Sequence, residues 1–266
     1  MKVGIAGLGA IGKVVARRLD EGIEGLTLDC VAVRDRAKAT RNLAALGAMP
    51  ALVTAGEMAE RCDIIAEAVP RDAFMAIAGP ALRAGRVLVT VSAAGILAHP
   101  EVVDLARDNG GRIILATGAL LGLDAVRAAA EGEIHEVRMI TRKPPNALVG
   151  APYLVEHGIS LDGLSEPLKV FDGSAREGAA GFPANVNVAA ALGLAGIGPD
   201  RTRLEIWADP GLDRNTHVIR IEADSARIEM SIANVQSEEK PGTGKITALS
   251  VIACLRGLVS PLKVGS

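Results

Sequence analysis

The chain has 266 residues, enough for one large domain or two modest ones with a substantial apolar core. Hydrophobic residues make up 49% of it, but only Phe74, Tyr153, Phe171, Phe182 and Trp207 are aromatic, so the interior is built from Ala, Val, Leu and Ile. A formal charge of -2 gives no electrostatic footprint for a phosphate backbone, and so few aromatics give no base-stacking platform, which excludes nucleic acid as a partner. Cys30, Cys62 and Cys254 are widely spaced and form no CxxC motif, so neither a disulfide framework nor a cysteine zinc site is expected. The chain opens directly into a motif, so no secretory leader is expected, and its longest apolar windows fall short of a membrane span. A soluble, cytoplasmic protein in a reducing compartment is expected.

From Lys2 to about Leu115, short β-branched runs alternate with helical stretches. "KVGIAG", "LDCVAV", "CDIIAEAV", "GRVLVTVS" and "GRIILA" read as buried parallel strands. Ile11 to Asp20, Arg36 to Leu46, Ala73 to Ala84 and Pro100 to Asp108 read as the crossover helices between them. The fold class is therefore α/β with a doubly wound parallel sheet. In "VGIAGLGAIGKVVARRL", Gly7, Gly9 and Gly12 have GxGxxG spacing after a strand and at a helix start. Gly7 permits the tight turn, Gly9 lets a pyrophosphate approach the backbone, and Gly12 lets the helix pack on the sheet. The N–H groups of the helix start, at Ala10 and Ile11, then face the phosphates. At the end of the second strand, "VAVRDR" offers two signals. Asp35 suits the ribose of NAD, while Arg34 and Arg36 suit the extra phosphate of NADP, or all three are helix-end charges. NAD is the expected cofactor, with NADP tolerated. Ligands in such sheets bind at the carboxyl ends of strands, which places "EAVP", "SAAGIL" and "ATGALLG" beside the cofactor.

From Glu136 onward the pattern changes to strands with one polar face, in "EVRMITRK", "RLEIWAD", "HVIRIEA" and "ARIEMSIAN". These imply a second α+β domain on an open, largely antiparallel sheet. Helices fit Pro183 to Ala195 and Thr243 to Leu258. The expected division is a dinucleotide-binding domain over 1–120, an α+β domain over 121–240, to which the family resemblance described next gives catalysis and dimerisation, and a C-terminal helix in 241–266 that packs back on the first.

Four stretches, "ATGALLGLDAVRAA", "VRMITRKPP", "FDGSAREGAAGFPANVNVAAALGLAGIG" and "DRNTHVIRIEA", resemble the L-aspartate dehydrogenase family in order and spacing, over nearly the whole chain. The resemblance implies a Rossmann domain joined to an α+β domain, paired as a homodimer. It also implies NAD(P)-dependent oxidation of L-aspartate to iminoaspartate, which hydrolyses to oxaloacetate and ammonia or is handed to a downstream enzyme of NAD biosynthesis. It places the catalytic histidine on His217 and cofactor contacts on Ala119 and Asn187. "EKPGTGKIT" departs from the Asn-Pro-Lys-Thr-Ser pattern of the family before the last helix.

Oxidising an amine to an imine needs a proton acceptor, and His217 heads an alternating strand where an imidazole serves that purpose. Without the resemblance, a strand histidine reads as a half-buried structural residue. His99, His135 and His157 read as solvated, and no HExxH-type spacing points to a catalytic metal. The substrate's two carboxylates call for cationic or N–H donors. Lys143, beside Arg142 in "TRKPP", and Lys240 and Thr243, with Lys245 in "KPGTGKIT", are the candidates, against an alternative reading as solvated surface groups. Two other functions fit the same plan: a cyclic-imine reductase resembling dihydrodipicolinate reductase, and a non-catalytic NAD(P)-binding regulator.

Overall fold

A computed structural model describes residues 1–183, 187–239 and 243–265. It divides into two compact units, Met1–Ala116 with Thr247–Lys263, and Thr117–Ile246 with the chain end from Val264. The sequence reading places these divisions at 120 and 241.

The first unit runs β1 (Lys2–Ala6), α1 (Ala10–Asp20), β2 (Thr27–Ala32), α2 (Arg36–Leu43), β3 (Ala51–Val53), α3 (Ala55–Arg61), β4 (Ile64–Glu67), α4 (Phe74–Arg83), β5 (Val87–Thr90), α5 (Ala93–Ala98), α6 (Glu101–Asp108) and β6 (Arg112–Leu115). The strands form one parallel sheet in the order β3-β2-β1-β4-β5-β6. Val3, Ile5, Ile64, Ile65, Leu88 and Val89 are fully buried, because helices cover both faces of such a sheet and leave no polar side for alternation. The strand that the sequence pattern misses is β3, whose three residues are too few to show a period. α3 starts with a capping box in which Thr54 and Glu57 satisfy each other's backbone N–H groups. Cys30 and Cys62, distant in sequence, meet with sulfurs 3.4 Å apart. Gly4 leaves them room, since a Cβ there would lie 3.0 Å from the Cys62 sulfur.

The second unit holds α7 (Leu123–Ala129), β7 (Ile134–Lys143), α8 (Pro152–Glu156), β8 (Leu168–Ser174), α9 (Ala175–Gly181), α10 (Asn187–Ala195), β9 (Thr202–Ala208), β10 (Thr216–Ala223) and β11 (Arg227–Ala233). Its sheet has the order β11-β10-β7-β9-β8, antiparallel except for the parallel pairing of β7 with β9. Alternation is clean. Val137, Met139, Leu204, Ile206, Ile219 and Ile221 are buried on one face, against which α9 and α10 pack. Arg138, Glu205, Arg220 and Glu229 pair across the other face. Trp207 stands half-buried on that uncovered face, with the Arg142 guanidinium 4.7 Å from its ring centre and its indole N–H donating to Glu205 at 3.0 Å. Tyr153, Phe171 and Phe182 gather into one aromatic cluster, with ring centres 5.2 to 5.6 Å apart. The last helix, α11 (Lys245–Val259), returns to the first unit, where Val251, Ile252 and Leu255 join the core around β1.

Candidate active site

In the first unit, the turn after β1 is shaped by absent side chains. Gly7 has φ +89°, and a Cβ on it would lie 2.7 Å from the Ala68 carbonyl. A Cβ on Gly12 would come within 1.9 Å of the Gly7 carbonyl, so only glycine lets α1 start this close to β1. At Gly9 a Cβ would meet nothing within 4 Å, and no side chain caps α1 there. An open backbone cradle at a helix N-terminus is what a pyrophosphate requires, with Ala10 and Ile11 opening the helix, so the residues present fit a dinucleotide. Asp35 is exposed and caps α2, accepting the Lys38 N–H at 2.8 Å, with Arg34 and Arg36 exposed on either side.

The strand order reverses between β1 and β4, which is where such sheets bind ligands. There the Glu67 carboxylate is buried and accepts from the Val69 N–H at 2.7 Å, from the Ser92 hydroxyl at 3.1 Å and from the Thr90 hydroxyl. Burial pushes its carboxyl pKa up, against the three donors that favour the anion. Ser92 thus ties the turns after β4 and β5 together, beyond the local turn role its position suggests.

In the second unit, five buried polar side chains converge at one end of the covered sheet face. His217, on β10, lies opposite Thr141 of β7, whose hydroxyl is 3.1 Å from its Nδ1. Two residues further along β7, on the same face, is Lys143, and both His217 and Lys143 are only 3% exposed. Asn215 precedes His217 by two residues, and Asn234 follows β11 and donates its backbone N–H to the Asn215 carbonyl at 2.9 Å. Burial first, and the Lys143 charge second, hold the His217 imidazole down to about 3. The ring is therefore neutral well below its ordinary range. Burial lowers the Lys143 amine to about 8, leaving it charged at neutral pH.

The segment ahead of α7 is fastened to β11. Asn234 donates through Nδ2 to the Ala119 carbonyl at 3.0 Å, and a Cβ on Gly122 would collide with the Met230 sulfur. Gly244, next to half-buried Thr243, packs against Asn234, a Cβ there lying 3.1 Å from its Oδ1. Asn187 opens α10 and is exposed. Lys240 lies outside the described residues, as does 184–186, the start of the Pro183–Ala195 helix read from sequence.

The structure thus joins His217 to Lys143 and separates Lys143 from Arg142, which points to the uncovered face and bonds Asp209 at 3.3 Å. Lys245 is a surface group paired with Glu238 at 2.9 Å. His135 and His157 are exposed and His99 pairs with Glu101 at 3.1 Å, so none joins the cluster. Sequence reasoning missed Thr141, Asn215 and Asn234. The "NTH" spacing puts Asn215 on the face of His217, and this was the one signal for it. Among the described residues, Asp29, Cys30 and Cys62 form the one group with ligand atoms gathered as for a metal, and there Asp29 is already bonded by Arg61 at 2.8 Å.

A parallel sheet of this order with a glycine cradle, in one chain with a unit that buries a neutral imidazole and an amine on one sheet face, defines an NAD(P)-dependent dehydrogenase. Residues 7–116 match the family model of the homoserine dehydrogenase NAD-binding domain, and residues 124–258 match that of the aspartate dehydrogenase C-terminal domain. The chain is 55% identical over 266 residues to an L-aspartate dehydrogenase of Bradyrhizobium diazoefficiens, covering 100% of this chain and 94% of that one. It is 38% identical to an L-aspartate dehydrogenase of Methanocella arvoryzae, covering 100% and 99%. In fold it is similar to the crystal structure of aspartate dehydrogenase from Thermotoga maritima, with a TM-score of 0.74 at 23% identity, covering 100% and 99%. The chain belongs to the L-aspartate dehydrogenase family.

Proposed function

We propose that the chain catalyses NAD(P)-dependent oxidation of L-aspartate to iminoaspartate, with His217 as the acid/base. The observation that carries this reading is the pairing, on one buried sheet face, of a neutral imidazole with a charged amine in a chain of this family. Lys143 receives a substrate carboxylate through a charge-assisted hydrogen bond. Thr141 holds Nδ1, which leaves Nε2 to take the proton from the substrate ammonium. Loss of that proton frees the nitrogen lone pair, which forms the C=N bond as hydride leaves Cα. Bound NAD(P) supplies the hydride acceptor. The carboxylates arriving beside Lys143 oppose its charge and raise the basicity of His217. The ring sheds that proton to solvent, then takes one from water as the water attacks the iminium carbon and gives it to the departing amine.

Gly7, Gly9, Ala10, Ile11 and Gly12 hold the pyrophosphate, Asp35 the ribose, and Ala119 and Asn187 complete the cofactor contacts. Thr243 and Lys240 assist with the carboxylates. The same reading has the chain work as a homodimer in the cytoplasm, with iminoaspartate hydrolysed to oxaloacetate and ammonia or passed on toward NAD biosynthesis. Among the described residues no helix is long and apolar enough to cross a membrane. NADH formation with L-aspartate, D-aspartate and L-glutamate tests the reading on the wild type and on His217→Ala. Reduction supported by L-aspartate alone, and lost in the variant with NAD still bound, upholds it. A wild type that binds NAD and oxidises no amino acid overturns it.

A further inference from the structure

Among the described residues of the second unit, two buried side-chain atoms have no hydrogen-bond partner: Oδ1 of Asn215 and Oδ1 of Asn234. Each residue is only 5% exposed. The orientation of the Asn234 amide is fixed, because its Nδ2 is spent on the Ala119 carbonyl at 3.0 Å, so the oxygen is the atom left over. The backbone bond from Asn234 to Asn215 sets the two residues side by side at the ends of β11 and β10. By period two, Asn215 shares the face of His217, where Thr141 and Lys143 also lie. Native folds rarely leave a buried amide oxygen without a donor, and two such atoms at one site mark a place where donors arrive with a ligand.

The chemistry of the cluster narrows that ligand. Lys143 supplies a cation for a carboxylate, and His217 accepts a proton. Neither receives the remaining N–H groups of an amino acid's nitrogen. We propose that the oxygens of Asn215 and Asn234 form a nitrogen subsite, accepting hydrogen bonds from the α-ammonium of the substrate and, in the reverse direction, from ammonia. This inference rests on the amino-acid oxidation proposed above and assigns that site a group it otherwise lacks. With two ammonium hydrogens held by the amides, the third is the one directed to His217 and removed. A 2-hydroxy acid brings a single O–H in place of three N–H groups and leaves at least one amide oxygen orphaned, so the pair selects amino over hydroxy acids. The carboxamide of a nicotinamide ring also carries two N–H donors and is the competing occupant.

Reductive amination separates the two. The wild type, Asn215→Leu and Asn215→Asp are assayed with oxaloacetate, ammonium chloride and NADH, each varied in turn. The subsite requires that Asn215→Leu raise the KM for ammonium by about tenfold, the loss of one hydrogen bond to a charged group, while the KM values for oxaloacetate and NADH hold within about twofold. Asn215→Asp keeps an acceptor oxygen and stays within about threefold of wild type for ammonium. If the leucine variant does not fold, Asn215→Ala removes the oxygen without added bulk and is read in the same way. A rise in the KM for NADH assigns the amides to the carboxamide and overturns the proposal. Equal behaviour of the variants toward ammonium, or a fall in kcat with every KM unchanged, overturns it as well. A wild type that oxidises L-aspartate while its variants keep their KM for ammonium defeats the subsite alone. A wild type without aspartate oxidation defeats the reading beneath it.

Discussion

In the first unit the surface offered to a ligand is backbone, and the decisive residues are the ones with no side chain: Gly7 turns, Gly9 stays open and Gly12 lets a helix approach. In the second unit the offered surface is made of side chains, brought by β7, β10 and the end of β11 onto one buried patch. The first arrangement is local, spanning six residues of sequence. The second joins positions 76 apart, Thr141 and His217, through strand register alone. Backbone recognition of a phosphate needs spacing, whereas side-chain chemistry on a sheet needs pairing. The two regions should therefore fail in different ways.

The largest expected effect is on turnover. His217→Ala should lower kcat by about 10²- to 10⁴-fold with NAD affinity unchanged, read by NADH formation and by a cofactor titration. Loss of NAD binding in that variant would break the division between the regions. The same residue should set an acid limit on stability. Its folded value of about 3 lies below the ordinary 6.5, so the unfolded chain takes up the proton first. The neutral ring costs nothing above pH about 6.5, and stability falls as pH drops from there toward 3, by on the order of 5 kcal/mol. Chemical denaturation across that range should show a flatter acid limb for His217→Gln.

Gly12→Ala tests the opposite region. Its Cβ has 1.9 Å to the Gly7 carbonyl, so the turn must shift, at a cost of about 1–3 kcal/mol in unfolding experiments. NAD affinity should fall with it. Lys143→Met should raise the KM for L-aspartate about tenfold or more and leave that for NAD in place. In the wild type the same KM should climb as pH rises through about 8, where the buried amine loses its charge. The smallest effect belongs to Thr141→Val, a loss of a few-fold in kcat/KM as the imidazole loses the partner of Nδ1.

How much the sequence discloses follows from the same contrast. The glycine turn, the parallel strands and the change of pattern at Glu136 are local signals carried by period and spacing. β3 is too short to show a period, and β8, at the far edge of the second sheet, has a register shift between Lys169 and Phe171 that buries the consecutive Val170 and Phe171 and so breaks the alternation. His217 and Lys143 were legible singly, as an imidazole at a strand head and a cation at a strand end. Their meeting was not, because antiparallel β10 and β7 bring the head of one beside the tail of the other. Asn215 and Asn234 read as ordinary strand-end amides until burial shows that their oxygens lack donors. Cys30 and Cys62 are hidden in the same way, their contact depending on a glycine in a strand between them.

Trp207 is the chain's single tryptophan, and it stands on the sheet face away from His217, under the Arg142 guanidinium. Its fluorescence therefore has one source and one location, a native optical label that needs no engineering. Pairing of that face with a second copy would dry the indole and shift its emission to the blue. Dilution of the unlabelled protein, followed by emission wavelength, tests whether that face is buried in an assembly.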